Sequence, residues 1–218
     1  MSDDPETVRQ IAELALDDRP LLVLDVDDVV LEFIRPLPRY LASQGLELRL
    51  ETFRIHGNVF DLATSKPVAA ERVSAAIDAF FAVQAEWQEM TEGAAEALAS
   101  FGGRAEIVLL TAMPHRHRTI RRAHLDRLGL PYPLLTTEMP KGPAIAMLRG
   151  DKARPVAFVD DLPRNLLSAR ESVPDASLFH LMADNTIRAL LPAFDPQGIT
   201  TVTDWNEARP KIAEALGV

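Results

Sequence analysis

The chain has 218 residues, of which 47% are hydrophobic and 25% charged, and a formal net charge of -9. That composition fits one hydrophobic core with at most a small accessory module, and it excludes fibrous and low-complexity chains. The acidic balance disfavours a nucleic-acid polymer as partner, and the absence of cysteine excludes disulfides, thiol nucleophiles and thiolate metal sites.

The N-terminal stretch MSDDPETVRQ is acidic and polar, unlike a signal peptide, and no apolar run approaches membrane-spanning length. A cytoplasmic address without a membrane partner is the expectation. Val8, Ile11, Leu14 and Ala15 have helical spacing within residues 4–17. Leu21-Leu22-Val23-Leu24 is a continuous apolar run closed by Asp25, which predicts a strand buried on both faces. The same pattern returns at Ile107 to Leu110, closed by Thr111, and at Val156 to Val159, closed by Asp160 and Asp161. Helical segments follow at 115–128 and 163–172. Weaker strands are expected at Leu134-Leu135 and Ala176 to Leu181, and another at Ile199 to Val202 before a terminal helix from Trp205 to Leu216. Helices between buried strands imply right-handed crossovers, hence an α/β, three-layer, Rossmann-like parallel sheet.

Residues 29–88 break this rhythm. Arg35 to Gln44 reads as a helix. Val73, Ile77, Phe80, Phe81 and Trp87 mark a long amphipathic helix with Pro67 in its first turn. The segment reads as a small helical cap inserted after the first strand, with residues 1–28 and 89–218 forming the core domain. Thr91 to Ser100 re-enters the core as a helix that Gly102-Gly103 breaks.

Four polar clusters stand at the carboxyl ends of these strands. Asp25-Val26-Asp27-Asp28 places three carboxylates in four residues, which repel one another unless a positive charge sits among them. A hard divalent cation such as Mg2+ answers that need, and a simple turn with Asp28 as a helix cap is the plainer alternative. Thr111 offers a hydroxyl where a strand gives way to a turn, Lys141 stands between Pro140 and Pro143, and Asp160-Asp161 is followed by Asn165. Each is ordinary alone, as strand end, surface lysine or turn. In a parallel sheet all four reach one edge. Strand alternation sends Asp160 and Asp161 to different sides, so at most one is a direct metal ligand and its neighbour supports it.

This order of groups resembles the haloacid dehalogenase-like hydrolase superfamily over residues 21–172. The resemblance implies Asp25 as nucleophile forming an aspartyl-phosphate, Asp27 as general acid and base, and Thr111 with Lys141 as holders of phosphoryl oxygens. It implies Mg2+ on the Asp25 carboxylate, the Asp27 carbonyl and Asp161, with Asn165 paired to Asp161 and Asp160 supporting. A carboxylate at Asp27 favours phosphoryl transfer over halide release, since halide needs no proton. A 2-haloacid dehalogenase and a noncatalytic binding or regulatory protein are the alternatives. Asp28 stands where glycine is usual, which alters the turn into the cap or adds charge near the metal.

Within the superfamily, residues 28–33 and 159–163 also resemble small 5'-nucleotidases acting on deoxynucleoside monophosphates. The expected substrate is a small phosphorylated metabolite, such as a nucleoside monophosphate, acted on by a monomer or homodimer. Phe33, Phe53 and Phe60 are base-stacking candidates if they are not simply cap core. His115-Arg116-His117-Arg118 either steers an anionic substrate or is an exposed basic helix start. His56 and His180 are too isolated to make a zinc site.

Overall fold

Leu21–Leu24 forms β1 with all four residues buried. Leu22 and Leu24 pack to one side with Leu98, Phe101 and Ile212; Leu21 and Val23 pack to the other with Ile11, Ile145 and Leu166. That alternation is the two-residue period of a strand enclosed on both faces. The computed structural model describes residues 4–15, 17–52, 54–182, 184, 188–190 and 197–218.

Five further strands join β1 in a six-stranded sheet. Numbered after two short strands that follow β1 in the chain, β2 (Leu46–Leu48) and β3 (Val59–Asp61), they are β4 (Glu106–Thr111), β5 (Leu134–Thr136), β6 (Val156–Asp160), β7 (Ser177–Leu181) and β8 (Ile199–Val202). Their order is β5-β4-β1-β6-β7-β8, and every pairing is parallel. The helices covering the sheet are α1 (Pro5–Ala12), α4 (Ala94–Phe101), α5 (Arg118–Arg127), α6 (Lys141–Arg149), α7 (Pro163–Ser172) and α8 (Trp205–Leu216). This is the expected three-layer α/β architecture. Leu24 lies opposite both Leu109 of β4 and Val159 of β6, and the Asp25 amide donates to the Val159 carbonyl at 2.9 Å. One residue further along, Asp25 and Asp160 therefore stand level at the same edge.

Helix α1 starts where Asp4 accepts from the Thr7 amide at 3.1 Å and Pro5 takes the first helical position. It ends at Ala12, short of the predicted 17. Residues 115–128 open as a turn of 3₁₀ helix at His115–His117 before α5.

Between β1 and α4 the chain builds α2 (Leu37–Ser43), β2 (Leu46–Leu48), β3 (Val59–Asp61) and α3 (Ala70–Ala82), then a 3₁₀ turn at Gln84–Glu86. These elements share their own core, which includes Leu37, Leu41, Val73 and Phe80. The antiparallel β2–β3 ribbon was not expected. Pro67 is not in a helix either: it bridges Phe60 as an extension of that ribbon, and α3 begins three residues later and stops before Trp87. Among the described residues no helix is long and apolar enough to cross a membrane.

The cap is rooted by two crossings. Asp28 adopts a left-handed conformation, φ 60°, and its Oδ1 accepts from the amides of Phe33 at 2.8 Å and Ile34 at 3.0 Å. The carboxylate thus closes the turn that carries the chain into the cap, where an unsubstituted turn would leave those amides to water. On the return crossing, Gly93 (φ 79°) leaves room for Trp205, whose Cβ would stand 3.1 Å from any Cβ at that position. The Trp205 indole donates to the Val29 carbonyl at 2.9 Å.

Candidate active site

Asp25 leaves β1 with its side chain buried. Its Oδ1 accepts from the Val26 amide at 2.7 Å and from Lys141 Nζ at 2.7 Å. Lys141 is the first residue of α6 and is fully buried; its ammonium also donates to Asp160 Oδ2 at 2.7 Å. The lysine therefore sits between two strand-end carboxylates. Burial works against its charge, but Asp160 and Asp25 outweigh that and hold its pKa above the ordinary value. For Asp25 burial dominates and pushes the carboxyl up to about 7, with Lys141 opposing and Asp160 and Asp27 adding to the rise.

Asp160 and Asp161 part as strand alternation predicts. Asp160 turns back toward α7: its Oδ1 accepts from the Leu162 amide at 2.8 Å, and Asn165 Nδ2 donates to both its oxygens at 3.0 and 3.1 Å. Asn165 is thus tied to Asp160, not to Asp161 as the resemblance implied. The cause is local. Asp160 closes the turn that leads into α7, and the Asn165 side chain in the first turn of that helix falls on the same carboxylate. Asp161 faces a cavity instead, and nothing among the described residues donates to its carboxylate. Burial, with Asp160, Asp25 and Asp28 nearby, pushes its pKa well above the usual range. His180 Nε2 holds the Asp161 main chain through its carbonyl at 2.9 Å.

Asp25, Asp160 and Asp161 each present an oxygen within 4.8 Å of the others. Three buried carboxylates with one lysine among them, and one carboxylate without a donor, form an all-oxygen set suited to a hard cation. The residues present fit Mg2+. Asp160 is already occupied by Lys141 and Asn165, which leaves Asp25 and Asp161 as the side chains open to a metal.

Asp27 stands on the other side of Asp25. Its Oδ1 accepts from Arg121 Nη2 at 2.9 Å and Gln88 Nε2 at 2.9 Å, and its Oδ2 from the Thr111 hydroxyl at 3.2 Å. Thr111 is fully buried and also accepts from the Met113 amide at 3.2 Å, so its hydroxyl holds Asp27 and does not open on the cavity. Arg121 and its glutamine partners escaped the sequence reading. Arg121 is fully buried in α5, donates through Nε to Gln84, and reaches Gln88 at 3.2 Å. The available signal was the stripe His117, Arg121, His124, Leu125 at helical spacing, which buries one face of a segment crowded with arginines.

The basic cluster does not open on the cavity. His115 meets Thr136 Oγ1 at 2.7 Å and Asp4 at 3.1 Å, Arg116 and His117 both pair with Asp78 of α3, and Arg118 donates to the Leu134 carbonyl at 3.0 Å. These residues fasten elements together. Asp28 borders the cavity, but its carboxylate accepts from cap amides, and burial raises it to about 7. Of the stacking candidates, Phe33 lines the cavity and stacks on Phe81 with centroids 5.6 Å apart. Phe60 lies under the Arg49 guanidinium, 4.1 Å from ring centroid to Cζ, and Phe53 falls outside the described residues.

No family model and no curated protein matches the chain. Solved structures do. A HAD family hydrolase from Deinococcus radiodurans with bound phosphate and sodium aligns at TM-score 0.60 and 16% identity, covering 91% of this chain and 97% of its own. A Thermotoga maritima protein assigned as a β-phosphoglucomutase aligns at 0.60 and 15%, covering 90% and 100%. A Bacillus subtilis protein assigned as a HAD hydrolase, bound to magnesium, aligns at 0.60 and 12%, covering 93% and 100%. The chain has the haloacid dehalogenase-like fold, as its strand-end motifs led us to expect.

Proposed function

We propose that the protein is a Mg2+-dependent phosphomonoester hydrolase working through an aspartyl-phosphate on Asp25. The observation that carries this reading is Lys141 Nζ at 2.7 Å from both Asp25 and Asp160, with the Asp27 carboxylate two residues on, all at one sheet edge. Asp25 Oδ1 is committed to Val26 and Lys141, which leaves Oδ2 free of any donor among the described residues. A carboxylate oxygen of Asp25 forms a bond to phosphorus as the bond from phosphorus to the alcohol oxygen breaks. Asp27 gives its proton to the departing alcohol, then takes one from the water that attacks phosphorus and releases Asp25. Thr111 and Arg121 orient the Asp27 carboxylate for both transfers. Lys141 favours the ionised form of Asp25 against its burial and offsets charge on the phosphoryl oxygens. Mg2+, held by Asp25, Asp161 and the Asp27 carbonyl, would supply charge neutralisation between nucleophile and phosphate.

The test is phosphate release from a panel of phosphomonoesters with and without Mg2+. Asp25→Asn is expected to lower turnover by about 10³-fold or more, and Asp27→Asn by about 10²-fold or more. Equal rates in wild type and Asp25→Asn would overturn the reading in favour of a noncatalytic protein. Halide release from 2-haloacids would favour a dehalogenase.

A further inference from the structure

The cavity between core and cap holds about 670 Å³, far more than a phosphoryl group fills. Its floor is acidic, with Asp25, Asp27, Asp28 and Asp161. The cap wall opposite is Phe33, Ile34, Leu50, Ile55, Ile77 and Phe81. None of the described residues lining it is Ser, Thr, Asn, Gln or Tyr. Hydroxyls laid against those six apolar side chains would surrender water that the wall cannot replace, while the polar lining, His56 included, lies outside that wall. A flat apolar body loses nothing against this wall.

Two guanidinium groups border the same cavity, Arg54 from the β2–β3 loop and Arg164 from the first turn of α7. Neither side chain meets an acceptor among the described residues, and of the arginines without one these two are the pair that line the cavity. The Arg54 loop is built to hold its position. Asn58 Nδ2 donates to the Thr52 hydroxyl at 2.8 Å and to the Arg54 carbonyl at 2.6 Å, and the Asn58 amide donates to Ile55 at 3.0 Å. The cavity lining thus combines the carboxylates with two cations that meet no acceptor among the described residues.

Resting on the phosphomonoesterase reading above, we propose that the substrate is a phosphomonoester with a flat apolar body and a second anionic group, which Arg54 and Arg164 hold. A carboxylate and a phosphate offer those forks the same bidentate acceptor geometry.

Three primary-alcohol esters separate the body from the leaving group: benzyl phosphate, 4-carboxybenzyl phosphate and glucose 6-phosphate. A fourth, the bis-phosphate of 1,4-benzenedimethanol, tells a distal phosphate from a distal carboxylate. We expect kcat/KM for 4-carboxybenzyl phosphate or the bis-phosphate to exceed that for benzyl phosphate by about 10-fold. Benzyl phosphate should exceed glucose 6-phosphate by a similar factor of about 10. In the Arg54→Gln/Arg164→Gln double variant the first ratio should fall to about 1. Glucose 6-phosphate turned over as well as the anionic benzyl esters, or a ratio unmoved by the double variant, would overturn this inference and leave the phosphatase reading standing. No turnover of any ester, with Asp25→Asn indistinguishable from wild type, would sink both.

Discussion

Beneath the cavity Lys141, Asp25 and Asp160 are buried charges that satisfy one another, while Phe33, Ile34, Leu50, Ile55, Ile77 and Phe81 of the cap wall have no polar group to satisfy. The floor is consequently unforgiving. Removing one member leaves uncompensated charge in a place largely shielded from water. The wall tolerates exchange, because an apolar side chain at a half-exposed surface can be replaced at the cost of some contact area. Chemistry and specificity are thus written into parts of the molecule with very different resistance to mutation.

The largest effect that would break this comparison is Lys141→Met. It leaves Asp25 and Asp160 facing each other without a cation, and a loss of about 3–5 kcal/mol is expected in urea unfolding without divalent metal. Millimolar Mg2+ should restore part of it. A loss below ~1 kcal/mol would mean that the floor charges do not depend on one another.

Arg121 extends the comparison to the rear of the floor. By holding Asp27 it serves both proton transfers, but kcat/KM reports only the steps up to release of the alcohol and should feel it when that alcohol needs a proton. For Arg121→Gln, kcat/KM on an alkyl phosphate should fall by about 10–100-fold and on 4-nitrophenyl phosphate by less than about 3-fold. Equal losses on both esters would make Arg121 purely structural.

His124, one turn further along α5, is buried and its Nδ1 finds no partner among the described residues. Burial, with Arg121 and Arg127 nearby, lowers its pKa to about 4. The fold therefore holds it neutral while the unfolded chain protonates near 6.5. Stability should be indifferent to this group above pH 7, fall as pH drops through 6.5, and level off near 4. At pH 5 the cost is about 2 kcal/mol relative to pH 8, and it should vanish in the pH-dependent difference between wild type and His124→Asn. Leu50→Ala on the cap wall should lose no more than about 1 kcal/mol, its effect appearing instead in KM. A larger loss would show the wall to be as intolerant as the floor.

The same contrast governs what could be read in advance. Asp25 and Asp160 are legible because an unbroken apolar run ends at each, and a carboxylate in that place is out of keeping with a buried strand. Thr111 and Lys141 became legible only through their order along the chain. Arg54 and Leu50 look like any loop residues, and the β2–β3 strands are three residues each, half exposed, with no apolar run to betray them. Pro67 satisfied the rule for a first-turn proline and was claimed by the ribbon instead. Asn165 was placed near the right pair of acids but with the wrong partner, since spacing along the chain does not say which of two adjacent carboxylates turns back toward the helix. Arg121 was hidden by abundance: α5 carries several arginines, and only the packing of its inner face distinguishes the buried one.

The contact of Trp205 with both roots of the cap has a practical consequence. Its indole donates to Val29 on the outward crossing, and its Cβ lies where Gly93 begins the return. Any swing of the upper module relative to the sheet must alter the surroundings of this one ring, so its fluorescence offers a built-in optical gauge of opening and closing. With only one other tryptophan in the chain, Trp87, a Trp87→Phe background would isolate that signal without attaching a label.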